Sequence, residues 1–321
     1  MERLFREDMP TLTAPIGGFM RTTLLGAADS RPLQRFVYRH GMTLGARRFV
    51  AGETIDDLVA AARNVNARGF NVAAGMLGEG VHDRTQAVMA TRDYEGVLDR
   101  IAREDLRSNV ALKLTHLGLD INPELARENL TAVVDRAAQL SNFVRIDMEQ
   151  SAHTDATLAI YRYLRAAGRN NVGAVLQAYL YRSPDDLRAL LPLQPNLRLV
   201  KGAYLEPAAI AHPRKRDVDR ALVRLIETAL LGGGFTAIAT HDRAIIDHTI
   251  EFVVRHSIAR DRFEFQMLYG VRPALQSEFV ARGFSVRLAI PFGSQWYPYL
   301  MRRLAERPAN LFFFVGSLWR K

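Results

Sequence analysis

The fold class this sequence predicts is α/β: a (β/α)8 TIM-like barrel with an N-terminal helical extension and a C-terminal helix over the barrel mouth. Three observations predict it. Eight short apolar runs alternate with amphipathic stretches of helical period, and near-continuous apolar strands between helices belong to a parallel sheet covered on both faces. The length of 321 residues with 48% hydrophobic content suits one barrel of ordinary size. No Gly-x-Gly-x-x-Gly follows any of the runs, which counts against an open doubly wound dinucleotide fold.

The elements follow in order. Residues 1–48 are irregular in pattern, with Gly17 and Gly18 adjacent and a helix-then-turn reading for PLQRFVYRHGMTLGARRFV; they form an extension, and residues 49–321 form the barrel. GETIDDLVAAARNVNARGF is a helix, with Thr54 as N-cap and Gly69 closing it. The strands are FNVAAGML (70–77), NVALKLT (109–115), FVRIDME (143–149), VGAVLQAYL (172–180), LRLVKGAYL (197–205), FTAIATH (235–241), FEFQMLYG (263–270) and SVRLAIPFG (285–293). Helical stretches such as NPELARENLTAVVDRAAQL, HTDATLAIYRYLRAAG and RDVDRALVRLIETALL separate them. A last helix over WYPYLMRRLAE starts near Pro298 and ends before Pro308, because proline suits a first turn and blocks continuation.

Composition narrows the chemistry. The chain has no cysteine, which excludes disulfides, thiolate metal sites and cysteine nucleophiles. Its histidines are dispersed and no His-Glu-x-x-His occurs, so no metal is expected. A formal charge of +9 favours anionic partners, yet the basic residues are scattered among acids, unlike a nucleic-acid binder. No run of 18 apolar residues occurs and the N-terminus has no signal-peptide pattern, so the expectation is a cytoplasmic protein.

Polar residues gather at the C-terminal ends of the strands, where barrel chemistry sits. Lys113, Asp147, Glu149, Gln177, Lys201, Thr240 and His241 each interrupt an apolar run. One alone reads equally well as half of a structural ion pair or a helix cap; several together are harder to dismiss, since an unpaired buried charge costs several kcal/mol or more. On the last helix, Arg302 and Arg303 share a face with Tyr299 and Glu306. Two guanidinium forks on one face suit a carboxylate, while a solvated face with an ordinary Arg302–Glu306 pair is the alternative.

In sequence order, ALKLTHLGLD, VRIDMEQS, VLQAYLYR, NLRLVKGAYLEP, ATHD, FEFQMLYGVRP and YPYLMRRLAERP resemble the proline dehydrogenases, FAD-dependent enzymes that oxidise L-proline to pyrroline-5-carboxylate. The likeness is to the short bacterial monofunctional type. It implies FAD as cofactor, a quinone-type electron acceptor and peripheral contact with a membrane. It implies that Lys113 and Asp147 flank the substrate and tune its protonation, and that Arg198 stands by the flavin nitrogen that takes the hydride. Met148, Gln177, Lys201, Gly202, Ala203, Thr240 and His241 match flavin contacts. Leu268 matches a pocket wall, and Arg302, Arg303 and Glu306 match a carboxylate clamp. The sequence departs from the family at Ala289, where a tyrosine is usual, and at Gly75, where an aspartate is usual. Ala289 enlarges the pocket unless Phe292 or Tyr299 fills it, and implies a substituted proline, such as hydroxyproline, as an alternative substrate. Two other readings stand beside this one: a lysine Schiff-base aldolase using Lys113 or Lys201, and a flavin-binding regulatory protein without turnover.

Overall fold

A computed structural model describes residues 46–306, with side chains through Met301. The expected extension therefore lies almost entirely outside the described residues; its last part is a 3-10 turn at Ala46–Arg48. From there the chain alternates strictly. Helix α1 (Ile55–Ala67), strand β1 (Asn71–Met76), α2 (Arg84–Arg103), β2 (Ser108–Leu112), α3 (Pro123–Gln139), β3 (Val144–Ile146), α4 (Thr154–Ala166) and β4 (Val172–Gln177) make the first half. The second half is α5 (Ser183–Leu190), β5 (Asn196–Val200), α6 (Lys215–Leu231), β6 (Phe235–Ala239), α7 (Arg243–Arg255), β7 (Phe263–Leu268), α8 (Pro273–Ala281), β8 (Val286–Phe292) and α9 (Trp296–Glu306).

All eight strands pair parallel with their sequence neighbours, and β8 closes on β1 through the register Ala73↔Ala289 and Gly75↔Pro291. The (β/α)8 barrel is as the sequence predicts. Each strand ends earlier than its apolar run, by most in β5, which stops at Val200, and β2 shows how. There Lys113 leaves the ladder and leads a 3-10 turn, Leu114–Leu117, that stops at Gly118 with φ of 97°. The residues beyond the ladder are those that turn across the mouth, so the runs over-read the strands at their functional ends.

Local chemistry explains the helix starts. Thr54 caps α1 in a reciprocal box with Asp57, satisfying donors that the first turn cannot. Asp83 and Asn122 cap α2 and α3 with their side-chain oxygens. Helix α9 begins at Trp296, two residues before the expected Pro298. Proline is tolerated there because the third residue of a helix still has no intrahelical acceptor for an N–H.

The main core lies between the outward faces of the strands and the helices, filled by residues such as Val72, Leu112, Val144, Leu176, Leu199, Ile238, Phe265 and Leu288. A second, smaller core seats the last helix. Trp296, Tyr297, Leu300 and Met301 pack on Ala46, Phe49 and Val50, and the indole Nε1 of Trp296 donates to Glu53 at 2.7 Å. Fully burying an aromatic of this size contributes roughly 2–3 kcal/mol, enough to hold α9 where the barrel opens.

Inside the barrel the pattern is unusual. Period-2 alternation turns Asn109, Arg145, Asn196, Glu264 and Arg287 toward a polar cavity of about 580 Å³ at the N-terminal end. Arg145 is 1% exposed. Its Nη1 donates to the carbonyls of Ala174 (3.0 Å) and Asn196 (2.7 Å). Gly173 makes the room, because a Cβ there would stand 2.4 Å from Arg145 Nη1. Burial, with the charge of Arg198 beside it, lowers the Arg145 pKa to about 9.

Candidate active site

The larger cavity, about 980 Å³, opens at the C-terminal ends of the strands. That is near the upper end of the roughly 300–1,000 Å³ typical of ligand pockets. Its walls along β1, β2, β6 and β8 are small residues, Ala73, Gly75, Ala111, Ala239 and Ala289, which leave a broad slot rather than a packed barrel centre. The polar groups project from β4, β5 and β7 and from the loops that follow the strands. All the predicted site residues with described side chains line this one cavity: Lys113, Asp147, Met148, Gln177, Arg198, Lys201, Gly202, Ala203, Thr240, His241, Leu268, Ala289 and Tyr299. The side chains of Arg302, Arg303 and Glu306 lie outside the described residues, although their backbone continues α9.

Arg198 is the centre of the site. It projects inward from β5, is 8% exposed, and is gripped at two points. Its Nε donates to Gln266 Oε1 at 2.6 Å, and its Nη1 is ion-paired with Asp147 Oδ1. Among the described residues its Nη2 is a buried donor with no partner, on a side chain that lines the cavity. Buried donors are nearly always paired, so this one makes Arg198 a candidate contact for a ligand in the cavity.

The sequence places Lys113 and Asp147 about the substrate, and the structure pairs them with different partners. The Asp147 carboxylate is taken by Arg198, and Lys113 Nζ is ion-paired with Glu79 on the β1–α2 loop. Glu79 escapes a sequence reading because it sits in a loop with no periodic pattern. Gln266 does carry a signal, being a polar residue at an inward position of an apolar strand, the same signal that singles out Gln177.

The remaining polar residues build the rim. Lys201 Nζ is ion-paired with Asp242 at 2.9 Å and also with Asp219. Burial pushes the Asp242 carboxyl up, but the hydrogen bond from Lys201 and the charges of Lys201 and Lys215 outweigh it and hold it below the ordinary carboxylate range. Lysines engaged in this way by carboxylates are not in the apolar surrounding that activates a Schiff-base amine, which argues against an aldolase at Lys113 or Lys201. Gln177 Nε2 donates to the Glu149 carbonyl at 2.8 Å. Glu149 itself accepts from the Thr115 backbone (3.0 Å) and hydroxyl (2.6 Å), so it ties the β2 and β3 loops together below the mouth. His241 Nε2 accepts from the Leu268 N–H at 2.9 Å, which fixes the neutral tautomer with its proton on Nδ1. Thr240 caps the next turn by accepting from the Asp242 N–H at 3.1 Å.

Two glycines are instructive. Gly202 has φ of 117°, and a Cβ there would stand 2.3 Å from the Tyr179 ring, so the ring as well as the backbone angle demands glycine. Gly75 is the opposite: a Cβ would meet nothing closer than the Ile290 carbonyl at 3.9 Å. The fold tolerates a side chain at Gly75 and does not use one. Ala289 faces the cavity in register with Ala73 and Leu268. Phe292 is buried in the main core on the other face of β8, so of the two aromatic side chains expected to replace a missing ring only Tyr299 lines the cavity.

His116, on the turn after β2, stands behind the Lys113–Glu79 pair. Its Nδ1 lies 3.1 Å from the Tyr94 hydroxyl, and burial together with the charge of Lys113 brings its pKa down to about 4.

A family model described as Proline dehydrogenase matches residues 58–314. The chain is 42% identical over 302 residues to Proline dehydrogenase 1 of Bacillus subtilis (strain 168), covering 94% of this chain and 100% of that protein. It is 39% identical over 302 residues to a Proline dehydrogenase of Deinococcus radiodurans, covering 93% and 97% respectively. Among solved structures it resembles proline utilization A from Bdellovibrio bacteriovorus inactivated by N-propargylglycine. The TM-score is 0.80 at 21% identity, covering 92% of this chain and 37% of that one. At such identity the likeness concerns the fold, and the chain spans little more than a third of that protein.

Proposed function

The chain belongs to the proline dehydrogenase family, and from that premise we propose that it oxidises L-proline, or a ring-substituted proline, to the corresponding 1-pyrroline-5-carboxylate with FAD as acceptor. The observation that carries this reading is Arg198, a buried guanidinium with one unpartnered nitrogen at the centre of the small-walled cavity. The residues fit the cofactor. A donor without a partner suits an acceptor atom on a flavin ring, the alanine and glycine walls accept a planar group, and Lys201, Lys215 and Arg272 at the rim suit phosphates. FAD, when bound, supplies the two-electron acceptor that the chain's own side chains lack.

What the residues do follows from their charges. Met148, Gln177, Lys201, Gly202, Ala203, Thr240 and His241 hold the cofactor in this reading. Leu268, Ala289 and Tyr299 enclose the ring of the substrate, while Arg302 and Arg303, oriented by Glu306, take its carboxylate in a two-fork clamp. Binding the carboxylate at one end fixes the carbon next to nitrogen in a near-attack pose, which supplies much of the rate. Hydride leaves that carbon only when the nitrogen lone pair is free, so the amine must be neutral. The cations Lys113 and Arg198 disfavour a protonated amine, and the Asp147 carboxylate, already engaged by Arg198, does not attract one strongly. Removal of hydride and of the N–H proton leaves the C=N bond of the product.

We assign residues 49–321 to the catalytic barrel and residues 1–48 to an extension. Electrons leave to a quinone-type acceptor, and the formal charge of +9 favours contact with an anionic membrane surface from the cytoplasmic side. Among the described residues no helix is long and apolar enough to cross a membrane.

The test is anaerobic. Purified protein is expected to be yellow and to lose its flavin absorbance on addition of proline. Colourless protein that takes up no FAD overturns the reading, and FAD that no cyclic amino acid bleaches favours a binding protein without turnover. Steady-state kinetics on proline, hydroxyproline and other ring-substituted prolines test the role of Ala289; clear preference for plain proline refutes the substituted-substrate alternative.

A further inference from the structure

Beneath the mouth, one line of hydrogen bonds crosses the barrel interior from β1 to Arg198. Arg287 on β8 donates from Nη1 to the Val72 carbonyl on β1 at 2.8 Å and from Nε to Glu264 Oε1 at 2.7 Å. The same Glu264 oxygen accepts from Gln266 Nε2 at 2.5 Å, and Gln266 Oε1 accepts from Arg198 Nε at 2.6 Å. Glu264 is 3% exposed and Gln266 4%, so water does not substitute for either partner.

We propose that Gln266, fixed by Glu264 and Arg287, is a positioning residue that sets which nitrogen of Arg198 faces the bound flavin. The proposal rests on the FAD-dependent reading above. Its logic is one of forced polarity. Glu264 is acceptor-only and already holds Arg287, so the amide of Gln266 must turn its NH2 toward Glu264 and its oxygen toward Arg198. That oxygen captures Nε, Asp147 captures Nη1, and Nη2 is the nitrogen left over. The orientation of the guanidinium at the mouth is thus decided by residues on β7, β8 and β1, although Arg198 itself stands on β5. Neither glutamate nor methionine at position 266 reproduces the arrangement. Glutamate places a second carboxylate against Glu264, and methionine leaves Arg198 Nε without its acceptor and takes one of two donors from Glu264 Oε1 in a buried site.

The experiment compares flavin-loaded wild type, Gln266→Met and Gln266→Asn. Asparagine keeps the amide but withdraws it by one methylene, so it cannot span both neighbours, and it serves should methionine prevent folding. The readouts are the midpoint potential of the bound FAD and the kcat and KM for proline. With Arg198 released from its fixed pose, the potential is expected to fall by about 30 mV, a tenfold change for a two-electron couple. In parallel kcat falls by about 10²-fold, the scale of a small misplacement, with KM little changed. A purely structural role lowers the melting temperature and leaves the potential where it was. The effect must also vanish in an Arg198→Lys background, which has no Nε fork to orient. An unmoved potential in a folded, loaded Gln266 variant overturns this inference alone, as does a full effect in the Arg198→Lys background. A wild-type chain that binds no FAD overturns it together with the reading beneath it.

Discussion

Removing the Asp147 carboxylate is the most direct perturbation of the site. Asp147→Ala strips Arg198 of its one charged partner among the described residues while leaving Gln266 on Nε. Breaking a fully buried ion pair by removing one member costs about 3–5 kcal/mol, because the remaining charge is left uncompensated. Here the Asp147 side chain is 32% exposed and that of Arg198 10%, so water screens one partner and the cost shrinks to about 2 kcal/mol. Asp147→Asn keeps an oxygen acceptor for Nη1 and loses only the charge, for about 1 kcal/mol. Urea unfolding followed by circular dichroism reads both, as a fall in midpoint with unchanged slope. A cycle with Arg198→Met is expected to show coupling of about 1–2 kcal/mol. If Asp147→Ala lies within about 0.5 kcal/mol of wild type and the cycle shows no coupling, the pair does not organise the site and the reasoning fails.

Three further outcomes are expected. His116 has a folded-state pKa near 4, below the ordinary value of 6.5, so the unfolded chain binds its proton first as pH falls. Stability from this residue is complete above pH 6.5 and is lost progressively down to about pH 4, by about 3 kcal/mol in all; His116→Asn should flatten that part of a stability–pH profile, and an unchanged profile refutes the assignment. Ala289→Tyr should lower KM for plain proline by about tenfold, on the basis of about 60 Å² of apolar surface buried by the new ring, and should penalise bulkier prolines, as competition kinetics would show. Trp296→Ala, at a side chain with no exposure, should cost about 3–5 kcal/mol locally. Because it unseats α9 rather than the barrel, limited proteolysis is expected to open the C-terminal region first, with KM for proline raised.

The barrel was legible because its signals are local. Apolar runs of β-branched residues and amphipathic helices of period 3.6 are written along the chain, and Thr54, Asp83 and Asn122 start their helices with side chains a few residues away. The inward polar positions were legible for the same reason, since a charge in an apolar strand stands out against its neighbours. The start of α9 was displaced by two residues because Pro298 fits the third helical position as well as the first.

The partners were not legible. Asp147 is held by Arg198 and Lys113 by Glu79, pairings that no spacing along the chain announces. Gln266 bridges Glu264 to Arg198, a residue 68 positions away. Sequence alone marked polar residues at the C-terminal ends of apolar strands, since a charge stands out there against its neighbours. Only the closed barrel decided which of them meet. Stagger between neighbouring strands and closure of β8 on β1 set the height of each side chain around the axis, and neither is encoded in any single stretch of chain.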